Sequence, residues 1–301
     1  MDIKTLNQQF SRNQQIFFIN AKSDFIDIQV KTKKASAIIS LQGGQVLSYH
    51  PAGQSEDLFF LSDKAHYHST KAIKGGAPIC WPWFAANSEN ADLPFHGFVR
   101  NQVWQVKQTA INDLGEAVII LSFTDSPATQ KIWPYQFELL QTITIGDSLT
   151  IELASHNLGT KPFKLTQAIH SYFKIGDINA VSIEGLDQCA YLDKVNDFQS
   201  TQQHGSITIA GEVDRIYTHV NKPLVINDTN LQRRILINYK GSETAVVWNP
   251  WIEIAKSSAD LADDDYLHFV CVETANAANE IIDVEAGTSY VMSACYQLEK
   301  C

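Results

Sequence analysis

The sequence predicts an all-β protein on three observations. Short runs rich in β-branched and aromatic residues recur along the chain, Gly, Asn, Asp or Pro turns bound most of them, and helical periodicity is confined to two brief segments. The expected strands are Phe25–Val30, Ala37–Leu41, Ala117–Phe123, Leu149–Leu153, Ser206–Ile209, Ile235–Asn238 and Ala245–Trp248. A further apolar run, Phe269-Val-Cys-Val-Glu-Thr274, reads as a strand that a carboxylate interrupts. The helix expected first is Lys4–Phe10, and a short helical turn is expected near Asp260–Tyr266. No Gly-rich linker, low-complexity block or strong repeat divides the chain, so residues 1–301 are expected to form one domain with about the first 20 peripheral.

Composition narrows the function classes. Apolar residues at 45% and charged residues at 19% describe an ordinary globular protein. A net charge of −10 argues against a general binder of nucleic acid or anionic membrane, which gains affinity by neutralising phosphates with basic patches. An anionic substrate must then be held by a few local cations. No apolar run is long enough to span a bilayer, and Met1-Asp-Ile-Lys4 does not begin a signal peptide, so the cytoplasm is the expected location. Cysteines 80, 189, 271, 295 and 301 are odd in number and lack a C-x-x-C pair, which reads as free thiols.

The densest cluster of chemical groups is Lys74-Gly-Gly-Ala-Pro-Ile-Cys-Trp-Pro-Trp-Phe84, followed by His96-Gly-Phe-Val-Arg100. Glycines permit close backbone approach, prolines stiffen the chain, and the aromatics suit either a core or the C–H face of a sugar. His96 can donate, accept or carry a proton, and Arg100 offers a planar fork for phosphate or carboxylate. Taken alone, these residues also fit a turn-rich core segment with an exposed arginine.

The wording of the segment resembles the D-hexose-6-phosphate mutarotases, the glucose-6-phosphate 1-epimerase branch of the galactose mutarotase-like superfamily. Members carry Arg-Gly-Gly-x-Pro-x-Cys-Trp/Phe-Pro and then His-Gly-Phe-Ala-Arg. Further matches follow in order: Ala168-Ile-His-Ser-Tyr-Phe173 with Gly176-Asp-Ile178, Tyr191-Leu-Asp-Lys-Val-Asn-Asp197, Glu212-Val-Asp-Arg-Ile-Tyr217, Val247-Trp-Asn-Pro250 and Val270-Cys-Val-Glu-Thr-Ala275. The resemblance covers roughly residues 25 to 297. It implies a galactose mutarotase-like β-supersandwich, a fold that strand periodicity alone does not separate from a jelly roll. It also implies exchange of hexose 6-phosphate anomers with no cofactor and no metal. The expected partner is a small-molecule hexose 6-phosphate, with no nucleic acid or membrane, and a monomer is the expected state.

Anomer exchange needs a base for the anomeric hydroxyl and an acid for the ring oxygen. His170, in an apolar and aromatic setting, is on its own residues either a satisfied core histidine or a group used through its titration. The resemblance makes it the general acid. Glu273 interrupts an apolar strand, where a carboxylate needs a partner or a purpose; the resemblance makes it the general base. His96 and Asp214 match substrate-contacting residues, and Arg100 with Lys74 is the implied anion clamp. Asp193 reads as a loop cap. Trp248 and Trp251 fit either a pocket or a core.

Two departures stand out. Lys74 replaces the usual arginine and loses the bidentate fork. Phe95 stands where many relatives place a polar residue. His66 and His68 would share one face of a strand but lack a complete metal-ligand set, and the acidic run Asp260–Asp265 lacks the glycine and terminal glutamate of a calcium loop. Two rivals remain open: a sugar-phosphate binding module without turnover, and a mutarotase of neutral hexoses.

Overall fold

Alternation of apolar and polar residues builds the first large sheet. In Phe137–Ile145 and Leu149–Asn157 every odd position is buried and the even ones face outward, the period of a strand with one face in the core. In the computed structural model, which describes residues 2–300, these two strands lie inside an eight-stranded antiparallel sheet. Its order is Val181–Glu184, Leu224–Asp228, Arg233–Lys240, Ser289–Lys300, Leu149–Asn157, Phe137–Ile145, Ala117–Thr124 and Gln105–Ile111.

A second eight-stranded sheet carries the sequence motifs. Its order is Gln199–Gln202, Ala190–Asp193, Val213–Tyr217, Thr244–Asn249, Phe269–Asn276, Gln167–Ile169 and Ile79–Cys80, with Tyr172–Lys174 also paired to Phe269–Asn276. Every residue of Phe269–Asn276 is buried, so this strand has no solvent face. Val270 and Val272 join the main core, while Phe269 and Cys271 pack on the opposite side with Phe60 and Tyr172. The two sheets meet through buried polar bridges as well as apolar packing: Trp81 Nε1 donates to Ser155 Oγ at 2.9 Å, and the Ser171 and Tyr296 hydroxyls lie 2.7 Å apart. A four-stranded antiparallel sheet, Ile16–Asn20, Ile26–Lys31, Ala35–Ser40 and Gln45–Pro51, completes the layers.

The expected strands form, most of them longer than the sequence suggested, with two exceptions. Ser206–Ile209, flanked by Gly205 and Gly211, touches the edge strand Val181–Glu184 through the single bridge Ile183–Ile207. His66–His68 lies in an irregular loop, where His68 Nδ1 engages Thr70 Oγ1 and the Lys71 N–H donates to the His68 carbonyl. The common strand face expected for the two imidazoles therefore does not exist. Among the described residues the α-helices are Ile3–Phe10, capped by Asp2, and Trp251–Ser257, which the sequence reading missed. The turn expected at Asp260–Tyr266 is a 3-10 turn at Asp265–Leu267. Among the described residues no helix is long and apolar enough to cross a membrane. Cys80, Cys189, Cys271 and Cys295 are free thiols; Cys301 lies outside the described residues.

Two glycines let the site-bearing segments approach neighbouring backbone closely. Gly97 has φ +74°, and a Cβ there would overlap the Trp81 carbonyl; Gly76 has φ +63°, and its Cβ would overlap the Val46 carbonyl. Both conflicts are with backbone, which cannot step aside cheaply. Gly97→Ala should cost at least about 2 kcal/mol, since positive φ and a backbone overlap both oppose it. A urea midpoint unchanged from the parent would contradict this account.

Candidate active site

Backbone pairing assembles the site from separate motifs. Ala168 and Ile169 pair with Cys80 and Ile79, the His170 N–H donates to the Pro78 carbonyl at 2.9 Å, and the Tyr172 N–H donates to that of Gly76 at 2.8 Å. The glycine-proline segment thus runs beside the His170 segment. Trp81 bridges to Gly97, and the Phe98 N–H reaches the Trp81 carbonyl at 3.1 Å, which brings in His96 and Arg100. On the other flank Val246 lies opposite Glu273, and Trp248 lies between Asp214 and Cys271.

The result is a cavity of about 240 Å³ lined by all six residues that the sequence singled out: Lys74, His96, Arg100, His170, Asp214 and Glu273. Phe95, Tyr172, Lys194 and Trp248 line it too. Trp251 does not; it packs against Tyr266 with ring centroids 5.2 Å apart.

His170 Nε2 and Glu273 Oε1 lie 3.3 Å apart, both groups buried. His170 Nδ1 and Glu273 Oε2 are also buried and have no hydrogen-bond partner among the described residues. Such atoms are costly to leave unpaired. Burial, then the Arg100 and Lys74 charges, push the His170 imidazole down to about 3. Burial, then the Asp214 carboxylate, pushes Glu273 well above the usual carboxylate range, while Lys194 and Arg100 oppose the rise. Without a ligand the pair is therefore a neutral imidazole beside a reluctant acid. Tyr172 stacks on His170 with centroids 4.9 Å apart and planes 11° apart, and Trp248 meets both edge-on, so the imidazole plane is fixed.

His96 differs from His170 in its wiring. Its Nδ1 accepts the Ala85 N–H at 3.0 Å, and its own N–H donates to the Ala85 carbonyl at 2.7 Å. Nδ1 is therefore an acceptor, which leaves Nε2–H as a donor. Burial, followed by the positive charge His170 would carry, holds His96 far below its usual range. It is a neutral hydrogen-bond donor, held in the left-handed region at φ +64°.

Asp214 pairs with Lys194, not with its sequence neighbour Arg215, which reaches Asp193 at 3.9 Å and sits over the Tyr191 ring. Asp193 caps the 3-10 turn Lys194–Asn196 by accepting the Val195 N–H, as the loop-cap reading expected. Burial raises the Asp214 carboxyl, and Lys194 holds it back. Arg100 donates to the Phe95 carbonyl at 2.7 Å, and its Nε is buried without a partner among the described residues. Lys74 stands 3.4 Å from Asp260 and 5.9 Å from the Trp248 ring centroid. One member of the acidic run thus belongs to the site wall, and another, Asp265, accepts from Ser62 Oγ and the Ala262 N–H. Burial pushes the Cys80 and Cys271 thiols up, so they are inert packing groups. Among the described residues no three His, Cys, Asp or Glu side chains cluster as a metal site would require.

Sequence reasoning missed Lys194, Tyr172 and Asp260. The first two stand inside quoted motifs, Tyr191–Asp197 and Ala168–Phe173, and their places there were the available signal.

The profile of the aldose 1-epimerase family matches residues 27–296. The chain belongs to this family. It is 38% identical over 259 residues to a protein of Escherichia coli K12 provisionally named glucose-6-phosphate 1-epimerase, with 85% of each chain covered. A crystal structure of a protein provisionally termed a mutarotase, from Salmonella typhimurium, superposes with a TM-score of 0.90 at 32% identity, covering 97% of this chain and 96% of that one. A galactose mutarotase-like protein from Clostridium acetobutylicum shares the fold, with a TM-score of 0.72 at 13% identity over 96% of this chain and all (100%) of its own. The expected supersandwich class is thereby established.

The buried Glu273 makes stability depend on pH with a definite sign. Its folded-state affinity for a proton exceeds that of the unfolded chain, so its contribution is most favourable at low pH and is lost as pH rises through the raised folded value. Glu273→Gln, neutral throughout, should therefore unfold at higher urea than the parent near pH 8, with the gap closing toward about pH 4. A gap of the opposite sign would show that the carboxylate is stabilised in the fold.

Proposed function

We propose that the protein interconverts the α and β anomers of hexose 6-phosphates, chiefly glucose 6-phosphate, by acid/base ring opening and closure. What carries this reading is the meeting, in one cavity of about 240 Å³, of the His170–Glu273 pair with the cations Arg100 and Lys74. That volume lies just under the usual range for ligand sites and suits a single sugar ring. The provisional name of the Escherichia coli relative points to the same substrate.

Glu273 as carboxylate takes the anomeric hydroxyl proton, and His170 as imidazolium gives its proton to the ring oxygen. The oxygen–hydrogen electron pair becomes the carbonyl π bond while the ring carbon–oxygen bond breaks. Rotation about the adjacent carbon–carbon bond and reversal of both transfers yield the other anomer. The pair holds one proton throughout, on the imidazole when the sugar is cyclic and on the carboxyl when it is open. The unliganded preference for neutral imidazole and neutral carboxyl matches the open-chain stage. A phosphate dianion at Arg100 and Lys74 would offset the charges that depress His170 and so favour the imidazolium. In this reading His96 Nε2–H and the Asp214 carboxylate hold sugar hydroxyls, and Tyr172 sets the plane of the acid.

A second reading, use of neutral hexoses, draws on the Lys74–Asp260 contact, which leaves Arg100 as the less encumbered cation. Substitution separates the two. His170→Ala and Glu273→Gln should each lower turnover by roughly two to four orders of magnitude with binding changed far less. Near-normal exchange rates in both folded variants would remove the assignment and leave a binding module. Arg100→Ala should lower the ratio of kcat/KM for glucose 6-phosphate to that for glucose by roughly ten- to 150-fold, the worth of a charge-assisted contact. An equal loss on both sugars would mean that Arg100 supports the site without touching phosphate. Lys74→Arg should preserve or raise that ratio.

A further inference from the structure

A groove of about 670 Å³ lies outside the candidate active site, and among the described residues the two linings have no member in common. One wall is the segment leading to His96, from Pro82 and Trp83 to Leu93; the others are residues 131–135, residues 162–166, and Ile281 with Asp283. Backbone bonds hold these walls in place. The Trp133 N–H donates to the Thr129 carbonyl at 2.8 Å and the Tyr135 N–H to the Trp133 carbonyl at 2.9 Å, which fixes the bend that carries both rings. Phe163, Lys164 and Leu165 pair with Val284, Asp283 and Ile282, and the Phe84 N–H donates to Thr166 Oγ1 at 2.8 Å. The groove is therefore preformed, and its volume falls within the usual range for small-molecule sites.

Aromatic rings with unused polar handles line it. Trp133 meets Trp81, Phe137 and Phe163 edge to face, with centroids 5.0, 5.6 and 4.8 Å apart, and Tyr135 lies beside it at 4.6 Å. Trp81, Trp83 and Trp104 spend their indole N–H groups on protein acceptors. The half-buried Trp133 indole N–H and Tyr135 hydroxyl make no such bond among the described residues, and neither polar atom is sealed from water. Both are left for a partner that enters the groove. The exposed rim adds donors at Lys131 and Asn90 and an acceptor at Glu89.

Charge and hydrogen-bonding capacity narrow the ligand. Lys131 and Lys164 stand against Glu89 and Asp283, so the charged side chains of the lining balance, and Lys164 already meets Asp283 at 3.6 Å. An anion finds no excess of positive charge here, unlike at Arg100 and Lys74. A proline-rich segment suits aromatic grooves but presents acceptors with hardly any donors, which gives Glu89 nothing to accept. A neutral saccharide presents C–H faces to the rings and hydroxyls that both donate and accept.

We infer that this groove binds a neutral oligosaccharide, with Trp133 and Tyr135 as stacking faces and Glu89, Asn90 and Lys131 as hydroxyl partners. Its volume is more than twice the 240 Å³ or so that suits one sugar ring, so roughly two linked rings fit. Binding there is separate from the chemistry at His170 and Glu273, and no bond is made or broken.

The test titrates the full-length protein with methyl glycosides of neutral di- and trisaccharides in gluco, manno and galacto configurations, followed by saturation-transfer NMR and calorimetry. The methyl group blocks the anomeric hydroxyl, and saturating glucose 6-phosphate covers the candidate active site. Binding in roughly the millimolar range or tighter, unaffected by glucose 6-phosphate, is expected. Trp133→Ala should weaken it at least about fivefold. Glu89→Ala and Lys131→Ala, at exposed positions that folding does not depend on, should each weaken it roughly two- to tenfold. Trp133→Phe keeps a packed ring without the indole N–H and serves where Trp133→Ala does not fold. Failure of every glycoside to bind, displacement by glucose 6-phosphate, or affinity unchanged in Trp133→Phe, Glu89→Ala and Lys131→Ala together would overturn the inference. Capture of decaproline in place of the saccharides would overturn it too. Each of these outcomes leaves the proposed function standing.

Discussion

The contact between His170 and Glu273 constrains everything around it, because both groups are buried and neither can be charged cheaply without a counter-charge nearby. A single proton shared by the pair satisfies this condition in either location. The surrounding charges then decide which location is favoured. Asp214 disfavours the carboxylate, Lys194 restores it, and Arg100 with Lys74 disfavours the imidazolium. Lys194 and Asp214 form a close pair, so their opposing effects on Glu273 arrive together. In the proposed reaction, the charge brought by a ligand would then shift the proton, which an apolar site of the same shape could not do.

The fold supplies the rigidity that such a balance needs. Glu273 sits on a strand buried on both faces, Val270 and Val272 anchoring one side and Phe269 and Cys271 the other. His170 is fixed by the ring stack with Tyr172 and by its N–H bond to Pro78, and His96 by two bonds to Ala85. These constraints come from three separate stretches of chain. Gly97 lets the His96–Arg100 turn lie against Trp81, and Gly76 lets the glycine-proline segment lie against Val46, each closer than a side chain would allow.

Strand centres were legible in the sequence because β-branched alternation is a local signal, as in Ala117–Thr124 and Leu149–Asn157. Strand ends were less so: Leu149–Leu153 was expected to stop where the chain continues through Ala154 to Asn157, since Ser155, His156 and Asn157 end the apolar alternation although Ser155 and Asn157 are buried. Trp251–Ser257 was missed because it begins after Pro250 with no side-chain cap, and Trp251 enters at φ +55°. The six site residues were legible through the family resemblance, and they do share one cavity. Lys194 and Asp260 were not, because each looks like an ordinary solvated charge until the chain brings it against Asp214 or Lys74. Facing a cavity is a property of tertiary packing that local pattern does not encode.

Phe95 shows how a departure from a family pattern can be absorbed. In sequence it reads as the loss of a polar contact. In the structure its backbone carbonyl accepts the Arg100 guanidinium at 2.7 Å, a bond that any residue at this position could make. Its ring stands edge-on to His96 with centroids 4.2 Å apart and remains 51% exposed at the cavity wall. The ring packs on an imidazole that burial already holds far below its usual range, neutral and donating. It also offers a face to the C–H bonds of a sugar. The departure at Phe95 therefore leaves the Arg100 bond intact, because that bond is made by the backbone, and sets an aromatic face beside His96 at the cavity wall.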